Sequence, residues 1–222
     1  MPVGMSTPGP RKHETADHRG WANHHETPCI SRVATVNALS LCSQVSTSTT
    51  LWQQAISFAA WKHRHQMRKD GRTPYIAHPF RVAMTVREVF GCDDPVAICG
   101  ALLHDTIEDT LTDYEDIAEN FGTQIADVVA AVTKNMALPE LQRETDYDTR
   151  LASADWRARL VKLGDVFDNF SDLSSVSIAE RERMSDVPDK CRHAIELAKD
   201  DADHHEPARR AVAAVTALLE HR

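Results

Sequence analysis

The sequence has no apolar run that approaches the length of a membrane span, so no membrane partner is expected. It also lacks a basic surplus. With 25 Lys and Arg against 33 Asp and Glu the net charge is −8, which argues against a nucleic-acid partner bound through a general basic surface. An anionic ligand would need a local basic cluster. There is no CxxC pair. Cys29, Cys42, Cys92, Cys99 and Cys191 are odd in number and widely scattered, which reads as reduced cytosolic thiols rather than a disulfide frame or zinc knuckle. Gly-rich phosphate loops, internal repeats and long stretches of strand-like alternation are absent as well. The first residues lack the basic start and apolar core of a secretory signal, in keeping with a cytoplasmic location.

What is there is helical. The 222 residues are 42% hydrophobic and 26% charged, enough to bury a sizeable core. Residues 1 to 48 carry Pro2, Pro8, Pro10, Pro28, four histidines and a Ser/Thr tract without sustained periodicity. They read as a disordered N-terminal extension, with one all-α domain over 49–222. Helices are expected from Leu51 to Arg68, from His78-Pro79 to Gly91, and from Pro95, capped by Asp94, into the motif at 104. Thr112-Asp-Tyr-Glu115 has the form of a capping box for the next helix, which ends near Gly122. A fifth helix runs from about Ile125 to Lys134, and residues 135 to 152 read as a helix broken by a loop. A long helix follows from about Ser153 to Leu173, then two from Ile178 to Asp200 and from Pro207 to Glu220, assigned to packing.

The stretch Ala101-Leu-Leu-His104-Asp105-Thr-Ile-Glu108-Asp109-Thr110 starts as a buried helix and ends in four ionisable groups. On one helix His104 and Glu108 are four apart, as are Asp105 and Asp109. Acidic groups at a helix C-terminus oppose the macrodipole, and three carboxylates this close repel one another unless a cation neutralises them. A divalent metal at His104 and Asp105 is the simplest account. Further along, Leu160, Leu163, Phe167 and Phe170 form a buried stripe, and Asp165, Asn169 and Asp172 a polar one beside it. Such a stripe suits metal ligation or equally an exposed polar face. The basic run His63-Arg64-His65-Gln66-Met67-Arg68-Lys69 serves either as helix capping or as the local cation cluster.

Four segments together resemble the HD metal-dependent phosphohydrolase superfamily. They are His63-x-x-Gln66-x-Arg68-Lys69-x-Gly71-x-x-Pro74-Tyr75-Ile76-x-His78-Pro79, Leu103-His104-Asp105-x-x-Glu108-Asp109-Thr110, Val132-Thr133-Lys134, and Lys162-Leu163-x-Asp165-x-x-x-Asn169. Within it the chain is similar to the hydrolase domain of the Rel/SpoT alarmone enzymes and to the stand-alone small alarmone hydrolases. The resemblance implies a helical fold with one Mn²⁺ held by His78, His104, Asp105 and Asp165. It implies that Glu108 and Asp109 act on the attacking water, that Arg68 and Lys69 line the nucleotide base, and that Tyr75 and Asn169 lie near the ribose and phosphates. The implied reaction converts guanosine 3′,5′-bis(diphosphate) or its pentaphosphate, (p)ppGpp, to GDP or GTP and pyrophosphate, the degradation of the stringent-response alarmone. No synthetase motif follows, so hydrolysis without synthesis is expected.

The chain departs from the family pattern in three places. Val166 and Ser171 stand where basic residues are usual, and Gly164 sits inside a helix at a cost of about 1 kcal/mol relative to Ala. Two alternatives accompany the leading reading. One is the same chemistry on another nucleotide, such as NADPH or a nucleoside phosphate. The other is a non-catalytic nucleotide sensor, for which loss of a ligand or of the Glu108-Asp109 pair would be the mark, and none is lost.

Overall fold

The computed structural model describes residues 38–174 and 176–221, with side chains from residue 50 onward. Most of the expected N-terminal extension lies outside the described residues. Its last part does not: helix α1 spans Ala38–Lys62 and so begins ahead of the expected start at Leu51. Residues 38 to 50 hold neither proline nor glycine to stop a helix. Among the described residues every element is helical, and an isolated Met67–Pro74 bridge is the sole β pairing.

Among the described residues there are twelve α-helices. After α1 come α2 (Ala77–Met84), continued by one π-helical turn (Thr85–Val89), α3 (Pro95–Leu103) and α4 (Thr106–Asp109). Then come α5 (Tyr114–Phe121), α6 (Thr123–Val132), α7 (Glu140–Ser153) and α8 (Trp156–Asp172). The chain closes with α9 (Ile178–Arg183), α10 (Val187–Leu197), α11 (Asp201–His204) and α12 (Glu206–Glu220). Helix α8 is the central post, touching α2, α3, α6, α10 and α12. Its stripe of Leu160, Leu163 and Phe170 is buried as the periodicity predicts. Phe167 is only partly buried and meets Phe90 edge to face at 6.1 Å.

Several boundaries differ from the sequence expectation, each for a local reason. Helix α1 stops at Lys62, so the basic run from His63 to Lys69 is not helical. There the Asp70 carboxylate accepts from the Arg72 and Thr73 amides at 2.8 Å each, and Gly71 takes a positive φ of 67°. The turn lets Arg68 N–H donate to Thr73 O and Tyr75 N–H to Gln66 O, which aims Tyr75 inward. The helix through residues 95 to 110 is broken at His104-Asp105. His104 Nδ1 and Thr106 Oγ1 bond the carbonyls of Ala101 and Leu103 at 2.8 and 2.6 Å, competing with the helical ladder. The cap of α5 is Asp113, accepting from Asp116 N–H, one residue beyond the expected Thr112.

Gly164 has a packing reason. A Cβ there would lie 3.1 Å from Val82 and 3.2 Å from Val86, so its absence lets α8 approach α2 closely. That approach brings Asp165 beside His78.

Candidate metal centre

His78 enters the site from the first turn of α2, beside the buried Pro79 and Val82. Its Nδ1 lies 2.7 Å from Asp168 Oδ2. The carboxylate accepts, so the proton sits on Nδ1 and Nε2 is left with its lone pair inward. His104 closes α3 behind the buried Leu102 and Leu103. Its Nδ1 donates to Ala101 O at 2.8 Å, since a carbonyl can only accept. Both imidazoles therefore turn Nε2 to one point, with the rings 5.1 Å apart.

Two carboxylates meet them there. Asp165 Oδ1 is 3.2 Å from His78 Nε2 and 3.9 Å from His104 Nε2. Asp105 Oδ2 is 3.1 Å from His104 Nε2 and 3.5 Å from His78 Nε2. His78, His104 and Asp165 each offer a ligand atom within 4.8 Å of the others. Despite its short distance to Asp105, buried His104 Nε2 makes no hydrogen bond. Atoms sharing one ion with bonds of about 2.1 Å are separated by about 3–4 Å. Lone pairs aimed at carboxylates at these distances fit a divalent cation. Without one the counter-charges are Lys162, which bonds Asp165, and protons on the imidazoles. Burial by itself would lower His104, but the Asp105 and Asp165 charges outweigh it and raise the imidazole to about 9. Burial likewise works against Asp105 and Asp165. Even so, His104 holds the first below the usual carboxylate range, and Lys162, with His78, holds the second there.

A second ring of contacts fixes these groups. Arg81 holds Asp168 through two bonds of 2.6 and 2.8 Å. Lys162 Nζ bonds Asp165 Oδ2 at 2.9 Å, and Asn169 Nδ2 donates to Asp165 Oδ1 at 2.6 Å. Tyr75 OH lies 2.7 Å from Asp105 Oδ2 and 2.9 Å from Asp109 Oδ2, and its ring meets His63 at a tilt, centroids 4.8 Å apart. Glu108 Oε2 accepts from the Lys134 amide at 2.8 Å. Burial pushes Glu108 and Asp109 upward, and the Asp105 charge adds to both. Raised carboxylates are better proton acceptors.

The seven other residues read from the sequence divide as follows. Asp105, Glu108, Asp109, Tyr75 and Asn169 join His78, His104 and Asp165 along one cleft, and Lys69 stands at its rim. Arg68 is less available. It is 8% exposed and its guanidinium is held by Asp172 at 2.8 Å and Asn169 Oδ1 at 3.0 Å. The cleft has two lobes of about 270 and 250 Å³ that meet at Asp105, Glu108, Asp165 and Asn169. Sequence reasoning missed Asp168, although its place one turn after Asp165 was the available signal. It also gave α9 and α10 packing roles alone, whereas Arg183 and Lys190 line the larger lobe. Val166 lines the same lobe as these cations, whereas Ser171 lies on a separate groove with Phe167 and Asp168.

A model of the HD domain matches residues 55–190. The guanosine-3′,5′-bis(diphosphate) 3′-pyrophosphohydrolase MESH1 of Xenopus tropicalis is 39% identical over 130 residues, covering 58% of this chain and 73% of its own. That of Homo sapiens is 42% identical over 122 residues, covering 54% and 68%. A solved structure, described as a metazoan orthologue of SpoT that hydrolyses ppGpp, superposes with a TM-score of 0.62 at 26% identity, covering 78% of this chain and 95% of the other. With His104-Asp105 inside the matched region, which spans more than half of the sequence, the chain belongs to the HD-domain family.

Proposed function

We propose that this protein is a divalent-metal-dependent hydrolase of guanosine 3′,5′-bis(diphosphate), removing the 3′ pyrophosphate to leave GDP, or GTP from the pentaphosphate. The observation that carries the reading is the pair of imidazoles locked with Nε2 inward on two aspartates. The names of the relatives supply the substrate class.

The proposed holders of the ion are His78, His104, Asp105 and Asp165, with Mn²⁺ suited to mixed imidazole and carboxylate donors. Such an ion would lower the pKa of an attacking water and offset charge on the phosphoryl oxygens. Glu108 and Asp109 orient that water and take its proton. Tyr75 keeps Asp109 beside Asp105 through its hydroxyl. Asn169 keeps Asp165 in place and links it to Arg68. Lys69 contributes positive charge at the rim, which answers how an acidic chain attracts an anion.

The test is release of pyrophosphate from ppGpp by the purified full-length protein. Turnover is expected with Mn²⁺ and none with chelator. Absence of turnover with any divalent ion overturns the proposal. Val166 favours one alternative, since it lines the larger lobe where a cation is usual in the family pattern. NADPH and nucleoside monophosphates belong in the same assay, and turnover of one of these with ppGpp untouched would replace the substrate but keep the chemistry.

A further inference from the structure

The larger lobe has a corner whose phenol takes no part in the proposed reaction. It is formed by Lys134 after α6, Tyr147 on α7 and Lys162 on α8. Tyr147 is 4% exposed, yet its hydroxyl has no hydrogen-bond partner among the described residues. Two ammonium groups flank the ring, Lys134 Nζ at 5.4 Å and Lys162 Nζ at 5.7 Å from its centroid. Both reach the cleft, with side chains 25% and 20% exposed. Lys134 is held by the Glu144 oxygens at 2.6 and 2.8 Å, Lys162 by Asp165. The corner adjoins Glu108, which accepts from the Lys134 amide.

A phenylalanine would fill the same space without an unpaired polar atom. A buried hydroxyl that bonds nothing costs stability, so native chains rarely keep one. Between two ammonium groups, the partner such a phenol lacks is an acceptor, and the acceptor the charges favour is an anionic oxygen. We propose that Lys134, Tyr147 and Lys162 form a subsite for a phosphoryl group of the substrate. The phenol donates to a non-bridging oxygen. Lys134 exchanges Glu144 for the same group and uncovers the hydroxyl as it turns. The subsite supplies charge that Val166 does not. The proposal rests on the reading of the cleft as the seat of a pyrophosphorylated nucleotide.

Inorganic pyrophosphate is the probe, titrated calorimetrically into the full-length protein at a fixed Mg²⁺ concentration. Tyr147→Phe should weaken binding by about tenfold or more, the worth of one hydrogen bond to a charged group. The melting temperature of the ligand-free variant should hold or rise, because an unpaired hydroxyl has been removed. An unchanged Kd, or a wild-type protein that does not bind pyrophosphate, overturns the subsite. Should Tyr147→Phe fail to fold, Lys134→Met tests the same corner with the phenol intact: a comparable loss supports it and an unchanged Kd overturns it. Hydrolysis of ppGpp by the wild-type protein judges the functional reading separately, so the two can fail independently.

Discussion

At the scale of the residue, the site depends on which nitrogen of each imidazole carries the proton. His104 is set by one backbone carbonyl and His78 by Asp168, itself gripped by Arg81. Such an outer carboxylate orients the ring and raises its basicity, and losing one costs about 10- to 100-fold in metal affinity. Asp168→Asn should therefore weaken Mn²⁺ binding by that amount in a metal titration, with the helical circular dichroism unchanged. Undiminished affinity would remove Asp168 from its positioning role. Glu108 acts later. Glu108→Gln keeps the shape and the acceptor for the Lys134 amide but is a far poorer base, so the metal should stay and kcat fall by about 10²–10⁴-fold. A metal titration beside steady-state kinetics separates the two roles. The four proposed ligands and the carboxylate pair were legible in the sequence because each lies in a short, spaced motif. Asp168 and Tyr147 were not. Asp168 resembles any polar position on an exposed helix face until His78 and Arg81, 90 and 87 residues away, arrive beside it. Tyr147 looks like an ordinary core aromatic until its hydroxyl is found without a partner.

At the scale of the element, the His104-Asp105 corner is held between two helices that must keep their spacing. Asp94 sets it. Its Oδ1 caps α3 by accepting from Val96 N–H at 2.8 Å, and its Oδ2 accepts from Arg157 Nε of α8 at 2.8 Å. Burial opposes ionisation, but Arg157 and the cap amides prevail and lower the Asp94 pKa. A lowered folded pKa means stability that is present above the unfolded value of about 4 and is lost as pH falls through the folded one. Asp94→Ala should cost about 1–2 kcal/mol at neutral pH in denaturant unfolding, from the cap alone. Asp94→Asn should cost less, since an amide oxygen still caps. Both variants should lose less stability than the wild type on acidification below about pH 4. The cap at Asp94 is the part of the fold that sequence reading captures best, because a cap is a local bond; the Asp155 cap of α8 went unread, two residues beyond the expected start at Ser153. The breaks after Leu103 and after Arg183 were hidden, because apolar periodicity continues through both. At the first, side chains bonding back to carbonyls decide the matter, and no pattern of apolar residues records that.

At the scale of the whole molecule, the charges at the centre come from α2, the α3–α4 corner and α8, brought together from positions 78, 104, 105 and 165. Their meeting has to be offset by positive charge whether or not a metal is bound. In chelator-treated protein the counter-charge is protonation of the imidazoles, and His104 is raised to about 9 from an unfolded value of about 6.5. A raised folded pKa contributes stability that is fully present below about pH 6.5 and is lost as pH climbs towards 9. The melting temperature with chelator should therefore fall across that window. Mn²⁺ needs the same nitrogens unprotonated, so protons compete with it and its stabilising effect should grow as pH rises. At an ion concentration of about 100 times Kd the gain is about 2.7 kcal/mol, large enough to move a melting curve by several degrees. Scans at successive pH values, with chelator and with Mn²⁺, should thus diverge towards high pH. A chelated profile that stays flat between pH 6.5 and 9, or a metal effect that shrinks as pH rises, would mean that these imidazoles face neither the aspartates nor an ion when the chain is in solution.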